Sequence, residues 1–149
     1  MTNNFNKDLK VGQTGEKILA NFILKNKWGD TVAFANTKDY DIIIKSGKYY
    51  GTTFEVKYDQ YPDTGNMILE IFCLKRLIKT GILSSKAKYF CYIFTHNKTG
   101  YIIKTSILLN ILSNLPKNIV TNGGDSNASV MVKLPYKKLL SKFYKFEYE

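Results

Sequence analysis

Apolar and polar positions alternate along the chain in patterns that predict both helices and short strands. Residues 15–27 are expected to form a helix with Thr14 as its N-cap. Its apolar face has the i, i+3, i+4 spacing of a helix, through Ile18, Leu19, Phe22 and Ile23. Further helices are predicted at residues 74–83, at 105–115 with Thr105 or Ser106 as the cap, and at 135–146, which is lysine-rich and amphipathic.

Between these helices, β-branched and alternating runs indicate strands. They are residues 31–35, 41–45, 48–58, 67–72, 88–95 and 101–104, with an edge strand at 130–134. A turn at Ser46-Gly47 makes the second and third a hairpin, and residues 59–66 and 121–129 are rich in turn formers and predicted as loops. The fold class expected is α/β, with a central mixed, mostly antiparallel sheet flanked by helices.

The length of 149 residues and the absence of repeats or linkers predict one domain, with a core at about 10–105 and helices and edge elements at 106–149. No apolar run is long enough to span a membrane, and the polar N-terminus resembles neither a signal peptide nor an anchor. Cys73 and Cys91 lie in apolar segments and are expected to be reduced. We therefore expect a cytoplasmic protein without a membrane partner.

The net charge of +10 favours a polyanionic partner, although a generically basic and soluble surface explains the charge equally well. Arg76 is the only arginine, which leaves little scope for bidentate recognition of guanine. Recognition of a nucleic-acid backbone and its shape is therefore the expectation.

The strongest chemical signal lies in the predicted hairpin, where Asp41 begins one strand and Glu55 and Lys57 lie on the next. Side chains alternate along a strand, so Glu55 and Lys57 emerge on the same side. Antiparallel pairing can bring Asp41 close to Glu55. Both acids interrupt apolar strands, where a carboxylate is costly unless it is paired or bound to a metal ion.

Two converging carboxylates repel each other unless a cation lies between them, and Mg²⁺ prefers hard oxygen ligands such as these. The Val56 carbonyl is a candidate third ligand. The Lys57 ammonium can orient or deprotonate an attacking water, or neutralise charge on a phosphate. The alternative is an ordinary hairpin with exposed acids, because this spacing often occurs by chance.

Three further polar residues are weaker candidates for the same site. Glu16 opens the first helix, where the helix dipole alone accounts for an acid. Glu70 interrupts an apolar strand and is expected either to contact metal-bound water or to pair with Lys75 or Lys86. Gln60 follows Lys57 closely and is an accessory candidate.

The order of Glu16, Asp41, Glu55 and Lys57 resembles the PD-(D/E)xK nuclease superfamily over about residues 10–105. It is similar to Holliday-junction resolvases and to small phage-encoded nucleases. The resemblance implies a restriction-endonuclease-like core: a helix with an acid, three strands with the Asp and the Glu-x-Lys, then a helix and a strand. One departure is Tyr40-Asp41, where the family motif has Pro-Asp.

By this resemblance Asp41 and Glu55 hold Mg²⁺, with Mn²⁺ expected to substitute, Lys57 is the catalytic lysine, and Glu16 is an accessory catalytic acid. The activity implied is a metal-dependent endodeoxyribonuclease, a hydrolase of phosphodiester bonds in DNA, with branched DNA among the substrates. A homodimer is expected because cutting both strands usually needs two active sites. For a phage-encoded nuclease, the location would be the host cytoplasm.

Five residues are candidates for DNA contact: Lys10, Lys17, Tyr61, Lys75 and Arg76. Ordinary solvent exposure explains each cation, and ordinary packing explains the tyrosine. Two other functions stay open, namely a catalytically inactive nuclease fold that only binds DNA, and a basic inhibitor or adaptor that binds an acidic protein.

Overall fold

The computed structural model describes residues 2–35, 37–116, 120–123 and 129–149. Within that part of the chain the protein is mixed α/β, with elements in the order α1 Thr2–Lys25, β1 Thr31–Phe34, β2 Ile42–Ser46, β3 Thr53–Asp59, β4 Met67–Cys73, β5 Ile78–Lys79, β6 Tyr89–Phe94, β7 Thr99–Lys104, α2 Thr105–Ser113, β8 Val120–Gly123, β9 Ser129–Leu134 and β10 Tyr144–Glu147. Short 3₁₀ helices lie at Gly81–Leu83 and Tyr136–Lys142.

The strands form two sheets. The six-stranded sheet has the order β1-β2-β3-β6-β7-β10, and the four-stranded sheet has the order β5-β4-β9-β8. In the larger sheet only the β3–β6 pairing is parallel. The prediction of a mixed, mostly antiparallel sheet with flanking helices is therefore confirmed, and the second sheet is an addition to it.

Side-chain alternation places a separate apolar core on each face of the larger sheet. On one face Phe54 and Ile93 pack with Leu19 and Ile23 of α1. On the other face Phe90, Tyr92 and Phe94 pack with β4 and β9, through residues that include Met67, Leu69, Val132 and Leu134. Glu55 and Lys57, which alternate with Phe54, are thereby directed toward the second sheet.

The first helix begins earlier than predicted. It starts at Thr2 and ends at Lys25, so Thr14 lies within the helix rather than at its N-cap. The Thr14 hydroxyl donates to the Lys10 carbonyl at 3.0 Å, four residues earlier. This local bond satisfies the polar group without ending the helix, which is how threonine is accommodated in helix interiors.

The helix predicted at 74–83 is wrong. Residues 74–77 form the turn of the β4–β5 hairpin, and Leu77 takes a left-handed conformation with φ of 51°. Leu77 is 76% exposed, so the apolar residues of this segment do not form one buried helix face. Only the 3₁₀ turn Gly81–Leu83 remains of the predicted helix.

The second half of the chain contains more strand than predicted. Residues 120–123 form β8 rather than part of a loop, while residues 124–128 of that predicted loop lie outside the described residues. The strand predicted at 130–134 exists as β9, but it pairs with β4 on one side and β8 on the other, so it is not an edge strand.

The C-terminal helix predicted at 135–146 is also wrong. A 3₁₀ segment, Tyr136–Lys142, is followed by β10, which pairs with β7. Phe143 and Phe146 are buried, but Leu140 is exposed. The neighbouring helix α2 begins at Thr105, and neither Thr105 nor Ser106 caps it, because the residue in the cap position is Lys104 and its side chain makes no cap bond.

Both cysteines are free, as predicted, with Cys91 buried and Cys73 partly buried. Among the described residues, no helix combines the length and the apolar character that crossing a membrane requires.

Candidate active site

The β2–β3 hairpin brings Asp41 to Glu55. Ile42 pairs with Phe54, so the residue before Ile42 lies opposite the residue after Phe54. The Asp41 amide donates to the Phe54 carbonyl at 2.9 Å, and the Asp41 Oδ2 accepts the Val56 amide at 2.7 Å. The Asp41 carboxylate is therefore fixed against the backbone of β3, beside Glu55.

The Glu55 carboxylate is bonded from the other side by Ser85. The Ser85 hydroxyl lies 3.1 Å from Glu55 Oε2 and 3.2 Å from the Asp39 carbonyl, and it accepts the Ala87 amide at 3.1 Å. A hydroxyl has a single proton to donate. Ser85 can therefore donate to the ionised Glu55, or donate to Asp39 while a protonated Glu55 donates to it.

A third carboxylate, Glu16, comes from α1. The helix lies close to β3 at this point, since a Cβ added to Gly15 would lie 2.7 Å from the Tyr58 Cβ. This close approach of helix to strand depends on glycine, because a larger residue would push α1 away from β3. The next residue, Glu16, is near enough to Asp41 and Glu55 for the charges of these acids to influence one another.

The three acids influence one another electrostatically. Burial, with a contribution from the charge of Asp41, raises the pKa of Glu16 to about 7. Burial, together with the charges of Asp41 and Glu16, raises the pKa of Glu55 to about 8, against a smaller lowering by the Ser85 bond. Burial also raises the pKa of Asp41, although the Val56 amide opposes it. Three sequence-predicted residues are thus brought together in one half-buried cluster.

Lys57 lies beside this cluster and is exposed. It lines a cleft of about 160 Å³ with Glu55, Val56 and Glu70, between β3 and the second sheet. Glu55 and Lys57 therefore share one side of β3, as strand alternation predicts. Among the ion pairs of the described residues, none includes Lys57.

Glu70 lines the same cleft. Of its two expected roles, pairing with Lys75 or Lys86 is wrong, and contact with metal-bound water stays a prediction. Its carboxylate accepts a hydrogen bond from the Ser129 hydroxyl. Lys86 pairs instead with Asp39 at 3.4 Å, and no ion pair within the described residues joins Glu70 to Lys75. Gln60 is exposed and is not among the described residues that line the cleft.

The residues predicted to contact DNA are all exposed. Lys10 and Lys17 lie on α1, Lys75 and Arg76 in the β4–β5 turn rather than on a helix, and Tyr61 just after β3. Whether these residues contact DNA stays a prediction.

The donor set of the acid cluster fits a hard divalent cation. Asp41 and Glu55 offer carboxylate oxygens. Burial disfavours the ionised form of both, and the charge of Asp41 disfavours it further for Glu55, so a cation between them would stabilise their charges. The Val56 carbonyl is a third oxygen nearby in sequence. Among the described residues no three His, Cys, Asp or Glu side chains are arranged to hold one metal ion together. Mg²⁺ typically takes one or two carboxylates and completes its coordination with water, so two acids suffice.

Comparison of the chain with protein-family models, with curated proteins and with solved structures finds no match. Any functional conclusion therefore depends on the geometry and chemistry of this chain alone.

Ser85 is the residue of this site that the sequence did not reveal. It is 30 residues from Glu55 and follows a turn rather than a recognisable motif. Ser85 lies shortly before β6 in the chain. The parallel pairing of β6 with β3 brings its hydroxyl to the Glu55 carboxylate.

Proposed function

We propose that the protein is a magnesium-dependent endodeoxyribonuclease whose site is formed by Glu16, Asp41, Glu55 and Lys57. The observation that carries this proposal is the convergence of three half-buried carboxylates from α1, β3 and the start of β2, with a lysine on the same side of β3 as Glu55. Like charges gathered in this way are costly, and they are typical of functional sites that bind a cation.

In this proposal Asp41, Glu55 and the Val56 carbonyl hold Mg²⁺, and Mn²⁺ substitutes for it. When bound, the ion supplies Lewis-acid chemistry, polarising a phosphoryl oxygen and stabilising the charge that develops there during hydrolysis. The Val56 amide fixes one oxygen of Asp41, and the other oxygen has no hydrogen bond from the part of the chain that the structure describes, while Ser85 fixes one oxygen of Glu55.

The exposed ammonium of Lys57 would neutralise charge on the scissile phosphate and orient the attacking water. Its exposure and its place on the cleft wall support this role, since a substrate phosphate can approach it from solvent. Glu16 would accept a proton or order a water from the helix side, for which a pKa of about 7 is well suited.

The order of elements supports a restriction-endonuclease-like core in part. A helix with Glu16 precedes three consecutive strands, with Asp41 beside the second and the Glu55–Lys57 pair on the third, and β6 then pairs with β3. The chain departs from that core where the resemblance implies a helix, because residues 67–83 form a hairpin and a 3₁₀ turn.

DNA as substrate is supported by the net charge of +10 and by the exposed cations of α1 and the β4–β5 turn. With a single arginine, recognition would use the backbone and shape of DNA, branched DNA included. Double-strand cleavage would need two copies of the site, so we extend the proposal to a homodimer.

A second candidate function is DNA binding without cleavage. It is favoured by the hydrogen bonds that two of the acids already accept within the chain. The Val56 amide donates to Asp41, and the Ser85 hydroxyl lies within hydrogen-bond distance of Glu55. In that case the acids stabilise the hairpin in a partly protonated state and bind no metal. Calorimetry with Mg²⁺ or Mn²⁺ discriminates between the two functions, because only the nuclease binds the ion.

Cleavage assays on site variants test the proposal. Asp41→Asn, Glu55→Gln and Lys57→Ala should each lower the cleavage rate by about 10²-fold or more, because each removes a group that stabilises transition-state charge. Matched controls are Glu147→Gln and Lys145→Ala, which change exposed residues on β10, a strand separated from β3 by β6 and β7. Full activity in the three site variants would overturn the proposal.

A further inference from the structure

A cavity of about 560 Å³ opens on the face of β3 opposite Glu55. Phe54 contributes to it, and because Phe54 and Glu55 are neighbours in one strand, their side chains point to opposite sides of the sheet. Buried Ile44 and Ile102 complete its floor with Phe54. The cavity is therefore separate from the acid cluster, and it has a size usual for small-molecule sites.

Aromatic rings form the walls of this cavity: Trp28, Tyr49, Tyr89 and Tyr144. Trp28 contacts Tyr49 and Tyr144 edge-on, with centroid distances of 6.0 and 5.2 Å. Tyr49 is 43% exposed and Tyr144 is 51% exposed, so both retain ring surface toward solvent. Open aromatic faces around an apolar floor suit a flat, unsaturated ring.

The rim of the cavity is basic. Lys88, Lys104 and Lys142 line it and are exposed, and no acid is among the described residues that line it. The Lys88 ammonium lies 5.9 Å from the ring centroid of Tyr89. Positive charge is therefore placed next to aromatic surface, which indicates a ligand that combines an anion with a flat ring.

We infer that this cavity binds a nucleoside phosphate, with the base against the aromatic walls and the phosphate at Lys88, Lys104 and Lys142. A purely apolar ligand would not explain three lysines without an acid, and inorganic phosphate alone would not explain the aromatic walls. Stacking on aromatic side chains together with phosphate contacts to lysine is the usual basis of sequence-tolerant nucleotide binding. The inference does not rest on the proposed cleavage, because it uses none of the residues of the acid cluster.

The single tryptophan of the chain makes the inference directly measurable. Trp28 lines the cavity, so a base stacked there should quench its fluorescence. We would titrate the full-length protein in EDTA with a deoxynucleoside monophosphate, with a short single-stranded oligonucleotide and with inorganic phosphate. We expect saturable quenching by either nucleotide probe but not by inorganic phosphate. If the oligonucleotide binds more tightly, the natural ligand is a nucleic-acid strand. If the two affinities are equal, the natural ligand is a free nucleotide.

Two variants test the basic rim. The double variant Lys88→Gln, Lys104→Gln should bind the nucleotide about tenfold more weakly or worse, because it loses two phosphate contacts. Lys79→Gln together with Lys133→Gln is the matched control, since both lysines are exposed on the second sheet and outside the cavity lining, and this variant should bind as the wild type does.

Three results would overturn the inference: no saturable quenching by either nucleotide probe, quenching that the rim variant leaves unchanged, or quenching by inorganic phosphate that equals quenching by the nucleotide. A chain that fails to cleave DNA but still binds the nucleotide would overturn the proposed nuclease while leaving this inference intact.

Discussion

Opposing influences act on the carboxyl group of Glu55. Burial and the charges of Asp41 and Glu16 favour its protonated form, whereas the Ser85 hydroxyl favours the carboxylate, and the result is a pKa of about 8. At neutral pH and without a cation, this residue therefore retains its proton for most of the time. A bound divalent ion would reverse the balance, because it stabilises the carboxylate.

This balance predicts how stability depends on pH. Unfolded glutamate has a pKa near 4.5, while folded Glu16 and Glu55 have values of about 7 and about 8, so the folded state binds more protons between these limits. The free energy of unfolding contributed by these groups should be fully present below pH 4.5 and should be lost as pH rises through about 8. Thermal unfolding across that window, without metal, measures the loss.

Added Mg²⁺ should raise the melting temperature more at the basic end of this window than at the acidic end, since the ion binds ionised carboxylates. Glu55→Gln should reduce both the pH dependence and the gain from Mg²⁺, and Glu147→Gln, at an exposed position on β10, should keep both. A melting temperature that responds to Mg²⁺ equally in wild type and Glu55→Gln would contradict this account.

Ser85 offers a second test at the level of single residues. Ser85→Ala removes the hydroxyl that favours the ionised Glu55, so the pKa of Glu55 should rise further and Mg²⁺ affinity should fall roughly 10-fold. Titration calorimetry with Mg²⁺ measures the change. The neighbouring Ser84→Ala is a matched control, because the Ser84 hydroxyl bonds only the Gly81 carbonyl among the described residues. Equal affinities in the two variants would exclude a positioning role for Ser85.

The site residues that lie close together in the chain could be predicted from the sequence. Asp41, Glu55 and Lys57 share one hairpin. Antiparallel pairing predicts that Asp41 lies near Glu55, and strand alternation predicts that Glu55 and Lys57 lie on the same side. The partners of Glu55 and Glu70 were not predictable. Ser85 and Ser129 lie 30 and 59 residues away from them in the chain, and a serine carries no periodic signal.

Among the elements, α1 supplies Glu16, the one acid of the cluster that does not come from the β2–β3 hairpin. Its approach to β3 depends on Gly15, whereas a Cβ at Gly12, one turn earlier, would meet no atom within 4 Å. The two glycines therefore form a natural pair for comparison.

Gly15→Ala should destabilise the fold by about 1–3 kcal/mol, because the new methyl group overlaps Tyr58 and forces the helix outward. Gly12→Ala should instead stabilise it by about 0.5–1 kcal/mol, since alanine favours a helix interior over glycine. Urea unfolding of the two variants checks the signs. Equal effects from both substitutions would mean that the helix does not pack on β3 as described.

Element prediction succeeded for helix α2 and for β1, β2, β3, β6 and β7 of the larger sheet, but it failed for the two segments predicted as helices at 74–83 and 135–146. The apolar residues at 74–83 and 135–146 fit a helical period, but the chain uses them in a hairpin and in a strand that pairs with β7. Tertiary pairing overrode local preference in both cases, and short apolar runs are the segments in which helix and strand are hardest to distinguish.

In the whole molecule, the pairings that complete the architecture join residues far apart in the chain. β3 pairs in parallel with β6 across a connection of some 30 residues, and β4 pairs with β9 through contacts such as Met67 with Leu134. A single sequence contains no signal for such partners, so the second sheet and the cleft that it closes over Glu55 and Lys57 could not be predicted. The net charge of +10 follows directly from the sequence, and it supports DNA as the substrate in the proposed function.

The central claim is that this basic chain cleaves DNA with a metal ion at Asp41 and Glu55. The most direct measurement is a cleavage panel of single-stranded, duplex and four-way-junction DNA, each with Mg²⁺ and with EDTA, for the wild type and for the triple variant Asp41→Asn, Glu55→Gln, Lys57→Ala. We predict that at least one DNA is cut by the wild type with Mg²⁺, and that none is cut in EDTA or by the triple variant. Cleavage that persists in the triple variant, or no cleavage of any DNA by the wild type with Mg²⁺, would contradict it.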